Sequence, residues 1–177
     1  MRRSAALTIF ALLLAACAND PVAGPATGNP EPQLDETRLG IYESMARELT
    51  GAEQVSWKKI VIVSRLCENA GGADGPDGCD DALSAAEQDE LARRLADLGT
   101  TVTFVEDPTS LYDDDWMTGL PEILVLRLGT ISERGDGVQV GGSYGCGGLC
   151  GGGTTYLLEE SADGWEVVGT TGPSWIA

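Results

Sequence analysis

The sequence contains no histidine, and its two lysines, Lys58 and Lys59, are adjacent. Without histidine, the Ser–His and Cys–His pairs of nucleophilic catalysis are excluded, and so are almost all catalytic zinc sites. Carboxylates, lysine and tyrosine are the groups that remain for acid–base chemistry. Neither lysine lies in a recognisable motif, so an enzyme built on this chain would depend on carboxylates.

Apolar runs long enough to span a membrane are also missing. The run from Ala5 to Ala15 is well short of the roughly 20 residues that a transmembrane helix needs. Two arginines precede this run, and small residues and Cys17 follow it. A basic start, a short apolar core and a small-residue end predict a signal peptide over residues 1–16.

The end of this signal, Leu14-Ala-Ala-Cys17, resembles the bacterial lipobox. The resemblance covers the signal alone. It implies that Cys17 is joined to diacylglycerol and acylated with a palmitate-type chain, which anchors the mature protein in a membrane. Because Ala18 rather than Asp follows, it also implies the outer membrane facing the periplasm in a Gram-negative host, or the outer face of the cell membrane otherwise. An ordinary secretory signal with an incidental cysteine is the alternative.

Positive charge is scarce, since 11 Lys and Arg residues stand against 28 Asp and Glu residues, for a net charge of −17. Removal of the signal peptide takes two arginines and no acid, which changes this charge to −19. So acidic a surface argues against nucleic acid and anionic lipid head groups as partners. An envelope protein or polymer is the expected partner.

Domain organisation follows from a change in composition. Residues 17–33 contain four prolines and hardly any bulky apolar side chain, which predicts a disordered tether. Residues 34–177 have the size and apolar content of a single domain with its own core.

Four cysteines remain when Cys17 carries lipid, and an even number outside the cytoplasm indicates two disulfides. Three pairings exist. We favour Cys67 with Cys79 and Cys146 with Cys150, because each closes a short loop rich in glycine. A four-thiolate zinc site is the alternative, but spacings of twelve and four positions do not match the paired knuckles of such sites.

The segment from Tyr144 to Tyr156 predicts a hairpin fixed by the second of these disulfides. Cysteines facing each other across the turn set the following strand pairs: Tyr144 with Gly152, Gly142 with Thr154, Val140 with Tyr156 and Val138 with Leu158. This register places the bulky apolar side chains on one face, whereas a slip by one residue would divide them between two faces.

Elsewhere, Leu34–Leu49 has the spacing of an amphipathic helix, and Ser84 with Glu87 forms a capping box that begins a second helix. Strands are predicted at the following ranges: 57–64, 101–105, 122–128 and 165–168. A strand, a helix and a strand in succession favour parallel pairing of the strands near Ile60 and Val102.

These elements predict an α+β fold with a mixed, mainly antiparallel sheet of about six strands and two helices packed on one face. The last three strands form a C-terminal meander in which Glu160 pairs with Trp165. We expect a turn over Ser132–Gly137, and we expect Trp175 and Ile176 to pack against the sheet edge or the core.

The acidic loop from Cys67 to Asp81 is predicted to be solvated and held by the Cys67–Cys79 disulfide. Its aspartates Asp74, Asp77 and Asp80 are weak candidates for calcium ligands. The order of ligands in an EF-hand is not met, so no metal is expected.

Three side chains are candidates for contact with a ligand or partner: Leu149 at the hairpin tip, Tyr144 beside it, and Trp116 next to three aspartates. A rigid tip loses little entropy on binding. The C-terminal segment resembles that of uncharacterised bacterial secreted proteins, which implies no activity. We therefore predict a non-catalytic binding module of the cell envelope without a cofactor. The alternative is a carboxylate-dependent hydrolase of envelope sugars or peptides.

Overall fold

Two helices cover one face of a seven-stranded mixed sheet. The computed structural model describes residues 34–52, 55–73, 77–111 and 122–177. The longer elements are α1 (Glu36–Gly51), β1 (Lys59–Cys67), β2 (Asp81–Ala82), α2 (Ala85–Arg94), β3 (Thr101–Val105), β4 (Ile123–Arg134), β5 (Gly137–Gly147), β6 (Cys150–Ser161) and β7 (Gly164–Ile176). Short 3-10 helices span Ala96–Leu98 and Pro108–Leu111. No helix among the described residues is long and apolar enough to cross a membrane.

The sheet has the strand order β2-β1-β4-β5-β6-β7, with β3 also paired to β1. Strands β3 and β4 run parallel to β1, and the pairs from β4 to β7 are antiparallel. The α+β fold is thus confirmed, and the predicted three-stranded meander is extended by β4 into four strands. Ile60 lies opposite Val102, as the predicted crossover requires.

Both helices lie where the sequence predicts them, and each begins at a capping residue. The side chain of Asp35 accepts a hydrogen bond of 3.1 Å from the backbone N–H of Arg38 at the start of α1. Ser84 and Glu87 form the expected reciprocal capping box at the start of α2. The buried stripe of α1 consists of Leu39, Ile41, Tyr42, Met45, Ala46 and Leu49. It packs in the main core, where each large apolar side chain contributes about 1.5 to 3 kcal/mol by burial.

The predicted hairpin register is confirmed in all four strand pairs. Val140 and Leu158 are fully or almost fully buried, and Tyr156 is 8% exposed. Trp165 lies opposite Glu160 and packs against the same core, as expected. The helices therefore cover the apolar face that the alternation of side chains defines.

The turn before β5 is shorter than predicted. Strand β4 continues to Arg134, which pairs directly with Gly137, so Gly135 and Asp136 alone make the turn rather than the whole of Ser132–Gly137. Gly135 has φ of 62°, a left-handed conformation that glycine adopts without a steric cost. The polar residues before it look like loop by composition, but they occupy the exposed end of a long strand.

The loop after β1 is not wholly solvated, contrary to the prediction. Ala70 and Gly71 are buried against the sheet face that lies opposite the helices. A Cβ atom on Gly71 would lie 2.1 Å from the carbonyl oxygen of Thr154, so only a glycine fits this approach. Asp77 and Asp80, further along the same loop, are exposed as expected.

The prediction that Trp175 and Ile176 pack against the sheet is confirmed for Trp175 and wrong for Ile176. Trp175 is half-buried, and its indole nitrogen donates a hydrogen bond of 3.0 Å to the carbonyl oxygen of Gly71. Ile176 is 87% exposed. Both belong to β7, and successive side chains of a strand point to opposite faces, so one of the two has to turn away from Gly71.

Candidate functional site at the disulfide hairpin

The tip of the β5–β6 hairpin projects one large apolar side chain. Gly147 and Gly148 have φ of 82° and 57°, and these two left-handed glycines reverse the chain. Leu149 follows them and is 78% exposed. An exposed leucine at a glycine turn contributes nothing to the core, so its side chain is free for an external contact.

A disulfide between Cys146 and Cys150 closes this tip, with Cα atoms 5.3 Å apart. The two cysteines are not directly opposite each other, because Cys150 pairs with Gly147 and the register shifts between Gly145 and Gly147. The extra residue on β5 explains why the predicted pairs are correct further down the strands although the cysteines themselves are offset. The bridge ties the flanks of the turn and limits its motion.

A groove of about 290 Å³ lies beside the tip. Its side chains are Arg127 on β4 and Trp175 on β7, and the hairpin backbone from Tyr144 to Gly151 supplies much of the remaining surface. A Cβ atom on Gly151 would lie 3.4 Å from the Trp175 ring, so the indole rests against the strand backbone. The Tyr144 ring lies on the other face, beside Gly152, and packs against the main core. One aromatic side chain and exposed backbone make a surface that can take an apolar group and hydrogen-bond its polar neighbours.

Arg127 also lines a second cavity, of about 360 Å³, on the side of the Cys67–Cys79 disulfide. The Cα atoms of these cysteines are 4.0 Å apart, which confirms the second predicted pairing. Arg65, Glu106 and Asp107 share this cavity with Arg127. Among the described residues Arg127 forms no ion pair within salt-bridge distance, so its guanidinium can pair with an incoming anionic group.

Asp107 is an acid of this cavity whose pKa is lowered by its surroundings. The backbone and side chain of Thr109 donate hydrogen bonds to its carboxylate and lower the pKa of Asp107, and the charges of Arg127 and Arg65 lower it further. The carboxylate is therefore ionised at neutral pH. Two arginines and two acids balance one another here, unlike the strongly acidic chain as a whole.

A catalytic acid would need a carboxyl whose pKa is raised. The clear carboxyl shifts in the described residues go the other way, because Arg93 and Arg94 lower the pKa of Glu90, Arg47 lowers that of Asp97, and Thr109 lowers that of Asp107. These groups accept hydrogen bonds as carboxylates. None of them supplies the proton that the hydrolase alternative requires.

The metal candidates are not brought together where the structure describes them. Among the described residues no group of three acids, cysteines or histidines is placed to hold a metal ion. Asp77 instead accepts a hydrogen bond of 2.8 Å from the backbone N–H of Gly78 in its own turn. Asp74 lies outside the described residues, as do Trp116, Cys17 and the predicted signal peptide and tether.

The sequence predicts Leu149 and Tyr144 as contact residues; Leu149 is exposed at the tip, whereas the Tyr144 ring packs against the main core. Arg127 and Trp175 were not predicted as parts of this surface. Arg127 carries no local signal, since it sits within an apolar strand and its neighbours in space come from β5 and β7. Trp175 was expected to pack on the sheet edge or the core. Packing there does not by itself predict that the indole lines a groove. Both belong to the site because the meander brings its four strands side by side.

Comparison with protein-family models, with curated proteins and with solved structures finds no significant match for this chain.

Proposed function

We propose that this chain is a non-catalytic, lipid-anchored protein of the cell envelope that binds a protein or polymer partner through the hairpin surface. The hairpin surface comprises Leu149, Trp175 and Arg127, and the backbone of Tyr144 borders it. The observation that supports this proposal best is the 78% exposure of Leu149 at a tip closed by a disulfide. The disulfide holds this exposed apolar side chain in a fixed position, so the tip loses little conformational entropy when a partner binds it.

The composition of the hairpin surface fits contact with a partner better than catalysis. Aromatic and arginine side chains are enriched among residues that dominate binding energies, and here Trp175 and Arg127 lie beside the tip that carries the exposed Leu149. Oxidation of both disulfides fits a compartment outside the cytoplasm, which agrees with the lipobox resemblance of residues 14–17. Anchoring at Cys17 would keep the hairpin surface at the membrane where its partner lies.

The proposal is tested by replacing Leu149 with a photoreactive amino acid in living cells of the host. Illumination should give a discrete crosslinked product, because the tip enters the partner's surface. An excess of acyl-free protein added to permeabilised cells should compete for the product, and the same protein with Leu149→Ser should compete much more weakly. The matched control is the photoreactive residue at Val55, which is 55% exposed and far from the hairpin in sequence. Identical products from both positions, or none from position 149, would contradict the proposal.

The anchor is tested separately. Cys17→Ser should move the protein from the membrane fraction to the soluble envelope fraction and abolish labelling with a radioactive or clickable palmitate. Retention of the variant in the membrane fraction without label would contradict lipid anchoring, whatever the outcome at Leu149.

A further inference from the structure

A second groove lies at the other end of β6 from the hairpin tip, between α1 and the edge strand β7. Its volume is about 840 Å³, the largest of the described cavities. One wall is the exposed side of α1, and the other is the first part of β7 with the turn that precedes it. The groove is thus bordered by a helix and by the last strand of a sheet.

The outer edge of β7 has no partner strand in the part of the chain that the structure describes. Strand β7 is 13 residues long, and from Val167 to Ile176 it carries no charged side chain. Natural proteins usually protect an exposed edge with lysine, with very short strands or with a covering element. Pro173 and two bulges, at Val168 and at residues 172–174, interrupt the edge of β7. The segment Gly164–Val167, which borders the groove, has a regular register and is left free to pair with another strand.

The walls of the groove are strongly acidic. The carboxylates that line it are Glu36, Glu43 and Glu48 on α1 and Asp163 in the turn before β7. Its two arginines are already paired, Arg47 with Glu43 and Asp97, and Arg94 with Glu90 and Glu36. Glu48 and Asp163 form no ion pair with any described residue, so the groove keeps an excess of negative charge that a cationic ligand can neutralise.

Trp165 supplies an aromatic surface within these acids. Its indole lies against α1 at Gly40, where an added Cβ atom would be 3.0 Å from the ring carbon Cδ1. The ring is half-buried and lines the groove with the part that remains accessible. An aromatic face beside carboxylates is a favourable site for the side chain of lysine or arginine.

We propose that this groove binds an extended, basic polypeptide segment that adds to β7 as an additional strand. Backbone hydrogen bonds to the free edge would fix its direction and register, and alternate lysine or arginine side chains would contact Trp165 and the unpaired carboxylates. A second copy of this chain is a poor occupant, since it has the same net charge of −17. The groove uses residues separate from the hairpin surface and defines a second contact of its own.

The test uses a short blocked peptide of alternating lysine and threonine, labelled with a fluorophore, and measures its binding to the purified protein by anisotropy. A companion peptide has the same sequence and charge, but alternate backbone nitrogens on one edge are methylated. Strand addition predicts that methylation weakens binding by about tenfold or more, because the donors to β7 are removed. Equal binding of the two peptides, or no binding of either, would overturn the proposal.

A pair of variants distinguishes binding in the groove from attraction by the overall negative charge of the protein. The groove variant carries Glu48→Lys and Asp163→Lys. The control carries Asp89→Lys and Asp136→Lys, which lie outside this groove, are exposed and form no ion pair with described residues. Both change the net charge equally. The groove variant should bind the peptide about tenfold more weakly, whereas the control should lose less than about threefold. Equal losses would show that only the overall charge attracts the peptide and would contradict the proposal.

Discussion

The indole nitrogen of Trp175 donates a hydrogen bond of 3.0 Å to the carbonyl oxygen of Gly71, which lies 104 positions earlier in the chain. Gly71 belongs to the loop closed by the Cys67–Cys79 disulfide, and Trp175 lines the groove beside the Cys146–Cys150 hairpin. The contact therefore links the surroundings of the two disulfides across the face opposite the helices. One wall of the hairpin surface depends on the docking of a glycine loop.

Gly71→Ala is expected to destabilise the protein by at least about 2 kcal/mol, because the new methyl group would meet the backbone of Thr154 and the loop would have to leave the sheet. Urea unfolding followed by tryptophan fluorescence measures this loss. Gly169→Ala is the matched control, since no atom lies within 4 Å of the added Cβ, and it should change stability by less than about 0.5 kcal/mol. Equal stability of the two variants would show that the loop does not dock closely.

The two disulfides should contribute unequally to stability. The Cys67–Cys79 bridge spans 12 positions and the Cys146–Cys150 bridge spans 4, so the first restricts the unfolded chain more. Replacing both cysteines of a pair by serine is expected to cost about 3 kcal/mol for the longer loop and about 2 kcal/mol for the shorter one. Urea denaturation of the two double variants under identical conditions tests the order. A larger loss for the hairpin pair would mean that packing at the tip, rather than loop length, determines the contribution.

Acid should weaken the ion pairs that Glu90 forms with Arg93 and Arg94 within α2. Hydrogen bonds from Arg93 and Arg94 lower the pKa of Glu90 from 4.5 to about 2. A carboxyl whose pKa is lower in the folded state stabilises the fold above its unfolded pKa, and this contribution is lost as the pH falls from about 4.5 towards 2.

The variant Glu90→Gln removes this titration. Its free energy of unfolding should therefore fall less steeply than that of the wild type over the same pH interval, as measured by urea unfolding at each pH. The control is Asp89→Asn, which neutralises the neighbouring exposed carboxylate and should leave the wild-type slope in place. Equal slopes for Glu90→Gln and the wild type would contradict the role of this carboxylate.

The hairpin register and the start of α2 could be predicted from the sequence. Alternating side chains from Val138 to Leu158 have one register that sorts apolar from polar groups, and the capping groups of Ser84 and Glu87 are local in sequence. Both signals depend on residues close together in the chain. The same is true of the two disulfides, whose glycine-rich loops are short.

The docking of Gly71 and the groove at Arg127 could not be predicted in this way. The sequence does not distinguish a glycine that allows two backbones to approach closely from a glycine in a free loop. The difference appears only when β5 and β6 lie beneath the glycine. Arg127 joins Trp175 only because three antiparallel pairings place β4 and β7 in one sheet. Such contacts are set by tertiary packing and carry no local signature.

The most direct test of the account compares photocrosslinking from position 149 with the Cys146–Cys150 disulfide intact and with both cysteines replaced by serine. The hairpin surface is proposed to act because the disulfide holds its tip in place, so the yield of the crosslinked product should fall by about fivefold or more in the serine variant at equal protein level. The variant should keep its fold, because the main core does not include the tip. An unchanged yield from the serine variant would contradict the claim that a disulfide-fixed tip is the contact surface.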